Sequence, residues 1–140
     1  MAVLSYDPGK VSLILGGKVI GGFTGGTFVK LERNEDMFAL VVGVDGQGTR
    51  AKSNNYSGTL TITLHQSSAS NDALSSFLAV DELTGQGSVP MLMRDASGRS
   101  IASAITMWIT KYAAAEYGKT VMERTWTLET DNLIVFVAGN

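Results

Sequence analysis

Alternation of apolar and polar positions runs through most of this chain and predicts strands. Val11-Ser12-Leu13-Ile14-Leu15 is apolar at its odd positions, the period of a half-buried strand. Gly16-Gly17 follows as a two-residue hairpin turn into Lys18-Val19-Ile20. Thr27 to Arg33 is the next strand, and the polar tip Asn34-Glu35-Asp36 should turn it into a hairpin with Met37 to Val42. Thr59 to Gln66 carries the clearest signal: Leu60, Ile62 and Leu64 share one face, with Thr59, Thr61, Thr63 and His65 on the other. Val89 to Arg94 reads as a short strand closed by the turn Asp95-Ala96-Ser97-Gly98. Ser100 to Thr110 is longer, with Ile101, Ile105, Met107 and Ile109 expected opposite Ala102, Ala104, Thr106 and Trp108. From Val121 to Thr130, Glu123, Thr125, Thr127 and Glu129 face away from Met122, Arg124, Trp126 and Leu128. Asp131-Asn132 then turns the chain into Leu133 to Val137, apolar on both faces and therefore expected to be buried.

Helical spacing replaces the strand period in one place. Ser70 is the candidate N-cap, Asp72 sits in the first turn, and Leu74, Phe77 and Leu78 fall at i, i+3 and i+4. The helix should run to Asp81 or Glu82, with Gly85 or Gly87 releasing the chain. Tyr112 to Tyr117 holds three alanines and fits a single helical turn. Together these elements predict a mainly β, antiparallel sandwich or barrel with one flanking α-helix, as a single domain over residues 1–140.

The longest break in the pattern is Gly43 to Gly58, a polar stretch punctuated by glycine between two strands. Hairpin loops are mostly two to five residues, so a connection of this length is expected to be either mobile or ordered by a partner. It carries Asp45, Gln47, Arg50, Lys52, Asn54 and Asn55, and almost nothing able to enter a core.

Composition narrows the classes of function. The chain has 16 glycines against two prolines, which fits many strands joined by sharp turns. Its net charge of −2 offers no global attraction for nucleic acid or anionic membrane. The start, Met1 to Pro8, has no basic region followed by an apolar run, so no signal peptide is expected, and no stretch is apolar enough for a membrane helix. With no cysteine there are no disulfides, thiolate metal sites or cysteine nucleophiles. The single histidine, His65, reads as a polar strand residue rather than a general base. The acids are scattered across turns, and the glycines of 16–26 precede neither a Lys-Ser/Thr pair nor a helix, so no metal, cofactor or phosphate site is expected. No catalytic constellation is present, and the expectation is that the protein is not an enzyme.

Several segments, in this order, resemble tail tube proteins of long-tailed bacteriophages, particularly those with contractile tails. They are Leu15 to Phe23, Val42 to Gly46 with Thr49-Arg50 and Ser57-Gly58, Leu64 to Leu74, Asp95 to Gly98, and Glu123 to Trp126. The resemblance spans nearly the whole chain. It implies a structural virion protein whose hexameric rings stack into a hollow tail tube through which phage DNA passes, with strands of neighbouring subunits completing a barrel around the channel. It implies partners as well: further copies of the chain, the sheath, the baseplate and the tail terminator, with DNA only in transit and no membrane insertion. The location implied is the virion tail, assembled in the host cytoplasm. Under this reading the 43–58 segment, with Asp45, Gln47, Arg50, Lys52, Asn54 and Asn55, reaches the next ring. Thr59, Thr61, Thr63, Glu123, Thr125 and Thr127 would line the channel, although the same alternation equally suits the solvent face of an ordinary antiparallel sheet. A tube protein of a related contractile injection or secretion system is the nearest alternative, and a small-ligand-binding β-barrel a more distant one.

Overall fold

The computed structural model describes residues 3–139, so Met1 and Ala2 of the leader reading lie outside the described residues. A short 3-10 turn, Pro8–Lys10, leads into β1 (Ser12–Leu15), β2 (Lys18–Val19), β3 (Val29–Arg33), β4 (Phe38–Val42), β5 (Gly48–Lys52) and β6 (Gly58–His65). Helix α1 (Ser70–Thr84) follows, then β7 (Val89–Arg94), β8 (Ile101–Ile109), β9 (Glu123–Thr130) and β10 (Ile134–Phe136).

One sheet, ordered β2-β1-β7-β8-β9-β6-β3 with β10 added to β8, makes the body. All its pairings are antiparallel. The chain beyond β2 draws its two ends together. The Ile20 amide donates to Leu13 O on β1, and a few residues later Gly22 O accepts from His65 N and Thr24 N donates to Thr63 O, both partners on β6. The sheet thus curls around one core, formed by Leu13, Leu15, Leu60, Ile62, Leu64, Met91, Met107, Ile109, Trp126 and Leu128, with Leu74 and Leu78 of α1. The expected mainly β body with one flanking helix is observed.

At Gly16-Gly17 both φ angles are positive, +57° and +81°, as the predicted two-residue turn requires. Helix α1 begins one residue earlier than a Ser70 cap would place it: Ala69 is the N-cap, and Ser70 instead accepts a hydrogen bond from Gly21 N at 2.9 Å. It ends at Thr84, where Gly85 adopts φ +69° and its amide returns to Asp81 O.

Four other expectations are corrected. Strand β3 pairs with β6 rather than with the strand after Met37, so the hairpin across Asn34-Glu35-Asp36 does not form. In β8 the inward face changes parity. Ala102 and Ala104 are buried and then Met107 and Ile109, while Ile101 and Ile105 are exposed. A bulge causes this: Val89 pairs with Met107 but Met91 with Ala104, so β8 holds an extra residue and its alternation shifts by one. Tyr112 to Tyr117 is irregular, with no helical turn. Leu133 is fully buried, but β10 itself lies exposed, with Ile134 and Phe136 outward and only Val135 turned toward the core.

Candidate assembly surfaces

The stretch read as one long loop is for the most part a β-hairpin. Strand β4 pairs with β5 over five positions, Phe38↔Lys52 to Val42↔Gly48, as a separate two-stranded sheet. Its tip is a turn in which Gly43 N donates to Gln47 O at 2.8 Å and Gln47 N to Asp45 Oδ1 at 3.2 Å, with Gly46 at φ +85°. Asp45 and Gln47 therefore sit at the tip, Arg50 and Lys52 on β5, and Asn54 and Asn55 on the return to the body. The Asn55 side chain accepts from Ser57 N at 3.0 Å, shaping that return. The two cations and the two asparagines are thus parts of an arm rather than of one irregular loop.

Both strands of the arm are exposed along their full length, including Leu40 at 70% and Val41 at 67%. A lone two-stranded hairpin is marginal in water. This one is tied at its root. Arg33 Nε and Nη2 donate to Leu133 O at 3.1 and 2.8 Å, its Nη1 reaches Met37 Sδ at 3.3 Å, and its guanidinium stacks 5.1 Å from the Tyr56 ring centroid. Leu133 N in turn donates to Tyr56 O. The arm is a built projection.

All six candidate channel residues meet on one face. Cross-strand register sets Lys30 beside Thr61 and Thr127, and Glu32 beside Thr59 and Glu129. Thr63 lies opposite Thr125, and His65 opposite Glu123. This outer face of β3-β6-β9 is polar, half-buried to exposed, and carries the one ion pair among the described residues, Lys30–Glu32 at 3.8 Å. A second outer face, across β2, β1, β7, β8 and β10, is richer in apolar side chains. Register aligns Val19, Ile14, Leu92, Ser103 and Ile134 across it, with Ser12, Arg94, Ile101 and Phe136 in the row alongside. That apolar face was hidden from the sequence because it needs pairings between distant segments. Exposed branched residues on edge strands are the one signal that marked it.

Three of the segments that carry the resemblance, Leu15 to Phe23, Leu64 to Leu74 and Glu123 to Trp126, meet at the entry to α1. Ser68 Oγ donates to Gly21 O at 2.6 Å, and Gly22 at φ +77° lies against Ser68, with no room for a Cβ. Asn71 Nδ2 donates to His65 O and Ser68 O, and its Oδ1 accepts from Trp126 Nε1 at 3.0 Å. These residues hold the helix to the sheet. In the turn Asp95 to Gly98, partial burial acts to raise the Asp95 carboxyl pKa. Hydrogen bonds from Ser97, Ser100 and Gly98 outweigh it and hold the group below its ordinary value.

The core inside the curled sheet is filled with side chains. A concavity of about 680 Å³ lies outside it, between the 111–122 segment and Glu123, Thr125 and Thr127 of β9. Among the described residues no cluster of three acids or histidines could hold a metal, and no helix is long and apolar enough to cross a membrane.

No family model matches the chain. It is similar to structural protein ORF10 of Pseudomonas phage KPP10, 28% identical over 144 aligned residues that cover 97% of this chain and 83% of that protein. By structure it resembles the sheath/tube terminator of an extracellular contractile injection system, PVC. The TM-score is 0.68 at 10% identity, over 98% of this chain and 100% of the other. A chain of the PVC sheath-tube complex in its extended state matches with TM-score 0.65 at 11% identity, over 96% of this chain and 93% of the other. In sequence the chain is thus similar to a phage structural protein, and in fold to chains of the tube and terminator assemblies of a contractile injection system.

Proposed function

We propose that this protein forms hexameric rings that stack into the hollow tube of a phage tail, through which DNA passes on ejection. The observation that carries this reading is the arm: an apolar strand, Phe38 to Val42, displayed in full on a hairpin anchored at its root by Arg33. Such a surface is a liability for a lone molecule and a contact for a repeating one. Asp45 and Gln47 at the tip, with Arg50 and Lys52 behind them and Asn54 and Asn55 at the root, then reach the adjacent subunit or ring. Strand edges of neighbouring copies complete a barrel, with Thr59, Thr61, Thr63, Glu123, Thr125 and Thr127 toward the channel. A lumen of threonine and glutamate offers passing phosphates little to hold. The sheath, baseplate and terminator are the further partners, and the virion tail, assembled in the host cytoplasm, is the location.

A second reading, the terminator that caps a tube, is favoured by the match over the whole length of the PVC terminator. The two differ in one outcome. A tube subunit polymerises beyond a single ring, whereas a terminator stops at one. Replacing residues 38–52 by a short Gly-Ser linker and comparing sedimentation with the parent tests the role of the arm. A folded variant that remains monomeric where the parent assembles supports it, and unchanged assembly refutes it.

A further inference from the structure

A notch opens where β9 parts from β8. The two strands pair only at Met107↔Thr130, Trp108↔Glu129 and Ile109↔Leu128, and β10 resumes alongside β8 at Ile134↔Ser103. Asp131, Asn132 and Leu133 bow away between these points, leaving a cleft of about 190 Å³ lined by Ile105, Thr106, Asp131, Asn132 and Ile134. Leu133 turns into the core, but Ile105 is 83% and Ile134 56% exposed. Asp131 is exposed and forms no ion pair among the described residues. The notch therefore offers two aliphatic walls and one carboxylate.

The arm presents the complementary chemistry. In its register Leu40 lies opposite Arg50 and Phe38 opposite Lys52, so one face of the hairpin shows apolar side chains with cations beside them. Arg50 lies 4.2 Å from the Phe38 ring centroid, which fixes the cation next to the apolar surface. We infer that the notch at Ile105, Asp131 and Ile134 receives the Leu40–Arg50 face of the arm of a second copy of this chain. Leucine enters between the isoleucines and the guanidinium pairs with Asp131. The inference rests on the assembly reading above and names the surface that assembly uses. The polar face of β3-β6-β9 has carboxylates in Glu32 and Glu129 but threonines in place of exposed isoleucines. Because arm and notch are different surfaces of one chain, each copy can engage two different neighbours, and the contact then propagates from copy to copy, as a ring or helical array requires.

Charge exchange tests the pairing. Arg50→Asp and Asp131→Arg should each weaken assembly, raising the concentration at which oligomers sediment by roughly tenfold. The double variant should restore it. Glu82→Arg is the control partner for Arg50→Asp, because Glu82 lies beside exposed Val80 and Leu83 on α1. Rescue by Glu82→Arg, or assembling single variants without loss, overturns the inference while leaving the assembly reading intact. A parent protein that never assembles counts against that reading first. The notch is then tested separately by trapping, which the absence of native cysteine permits. Copies carrying Leu40→Cys, oxidised with differently tagged copies carrying Ile134→Cys, should yield a mixed disulfide dimer several-fold more than with Thr61→Cys copies. Equal yields overturn the inference.

Discussion

Arg33→Ala should loosen the arm and destabilise the body together, because one side chain joins them. Two of its donors converge on Leu133 O at 3.1 and 2.8 Å, and Leu133 is fully buried, so truncation strands that carbonyl. A charged donor of this kind contributes about 1.5–3 kcal/mol, and loss of the acceptor's partner is felt at similar size. Stacking on Tyr56, 5.1 Å away at a half-buried site, adds about 0.5–1 kcal/mol. The expected loss is therefore ~2–4 kcal/mol. For a domain of this size that is about 5–15 °C in Tm. Guanidinium denaturation measures the loss, and hydrogen exchange across residues 38–52 should accelerate in the variant. Arg33→Lys keeps the charge but cannot fork onto the carbonyl, so it should recover only part of the stability. A loss below about 1 kcal/mol, or unchanged exchange in the arm, would refute the reasoning.

Further substitutions probe the other contacts. Gly58→Ala should destabilise by about 1–3 kcal/mol, since its new Cβ would lie 2.8 Å from Leu133 Cβ and 3.1 Å from Glu32 O; thermal melting reads this directly. Asn71→Ala removes the acceptor of Trp126 Nε1 and should cost about 1–3 kcal/mol, with altered tryptophan fluorescence as its signature. Thr61→Lys, flanked by Lys30 and Thr127, should fold with less than about 1 kcal/mol lost; failure to fold would mean the face is buried. The Asp95 carboxyl has a folded pKa below its ordinary 3.8, so its contribution is present above that value and is lost as pH falls through the lower one. Acid unfolding profiles of the parent and Asp95→Asn should therefore diverge above pH 3.8 and converge below it.

Where a segment buries one face, its sequence announced it. Leu60, Ile62 and Leu64 in β6, and Trp126 and Leu128 in β9, alternate in the primary structure as they do in space. The arm was illegible for the opposite reason: Gly48 to Lys52 is exposed on both sides, and no period-two pattern is imposed on a strand that buries neither face. The long strand β8 deceived because a single bulge inverts its parity, which no count of apolar residues reveals. Leu133 to Val137 looked buried because it is apolar throughout, yet in the chain alone its outward residues face solvent. The candidate channel residues were legible as one face of each of two strands. That these strands are neighbours, forming a single polar surface, required the fold.

Electron microscopy of the purified protein, over a wide range of concentrations, is the most direct test of the central claim. The account predicts six-fold rings with an open centre that stack into tubes as concentration rises. A particle that remains monomeric at every concentration, or that forms only closed dimers, would contradict it.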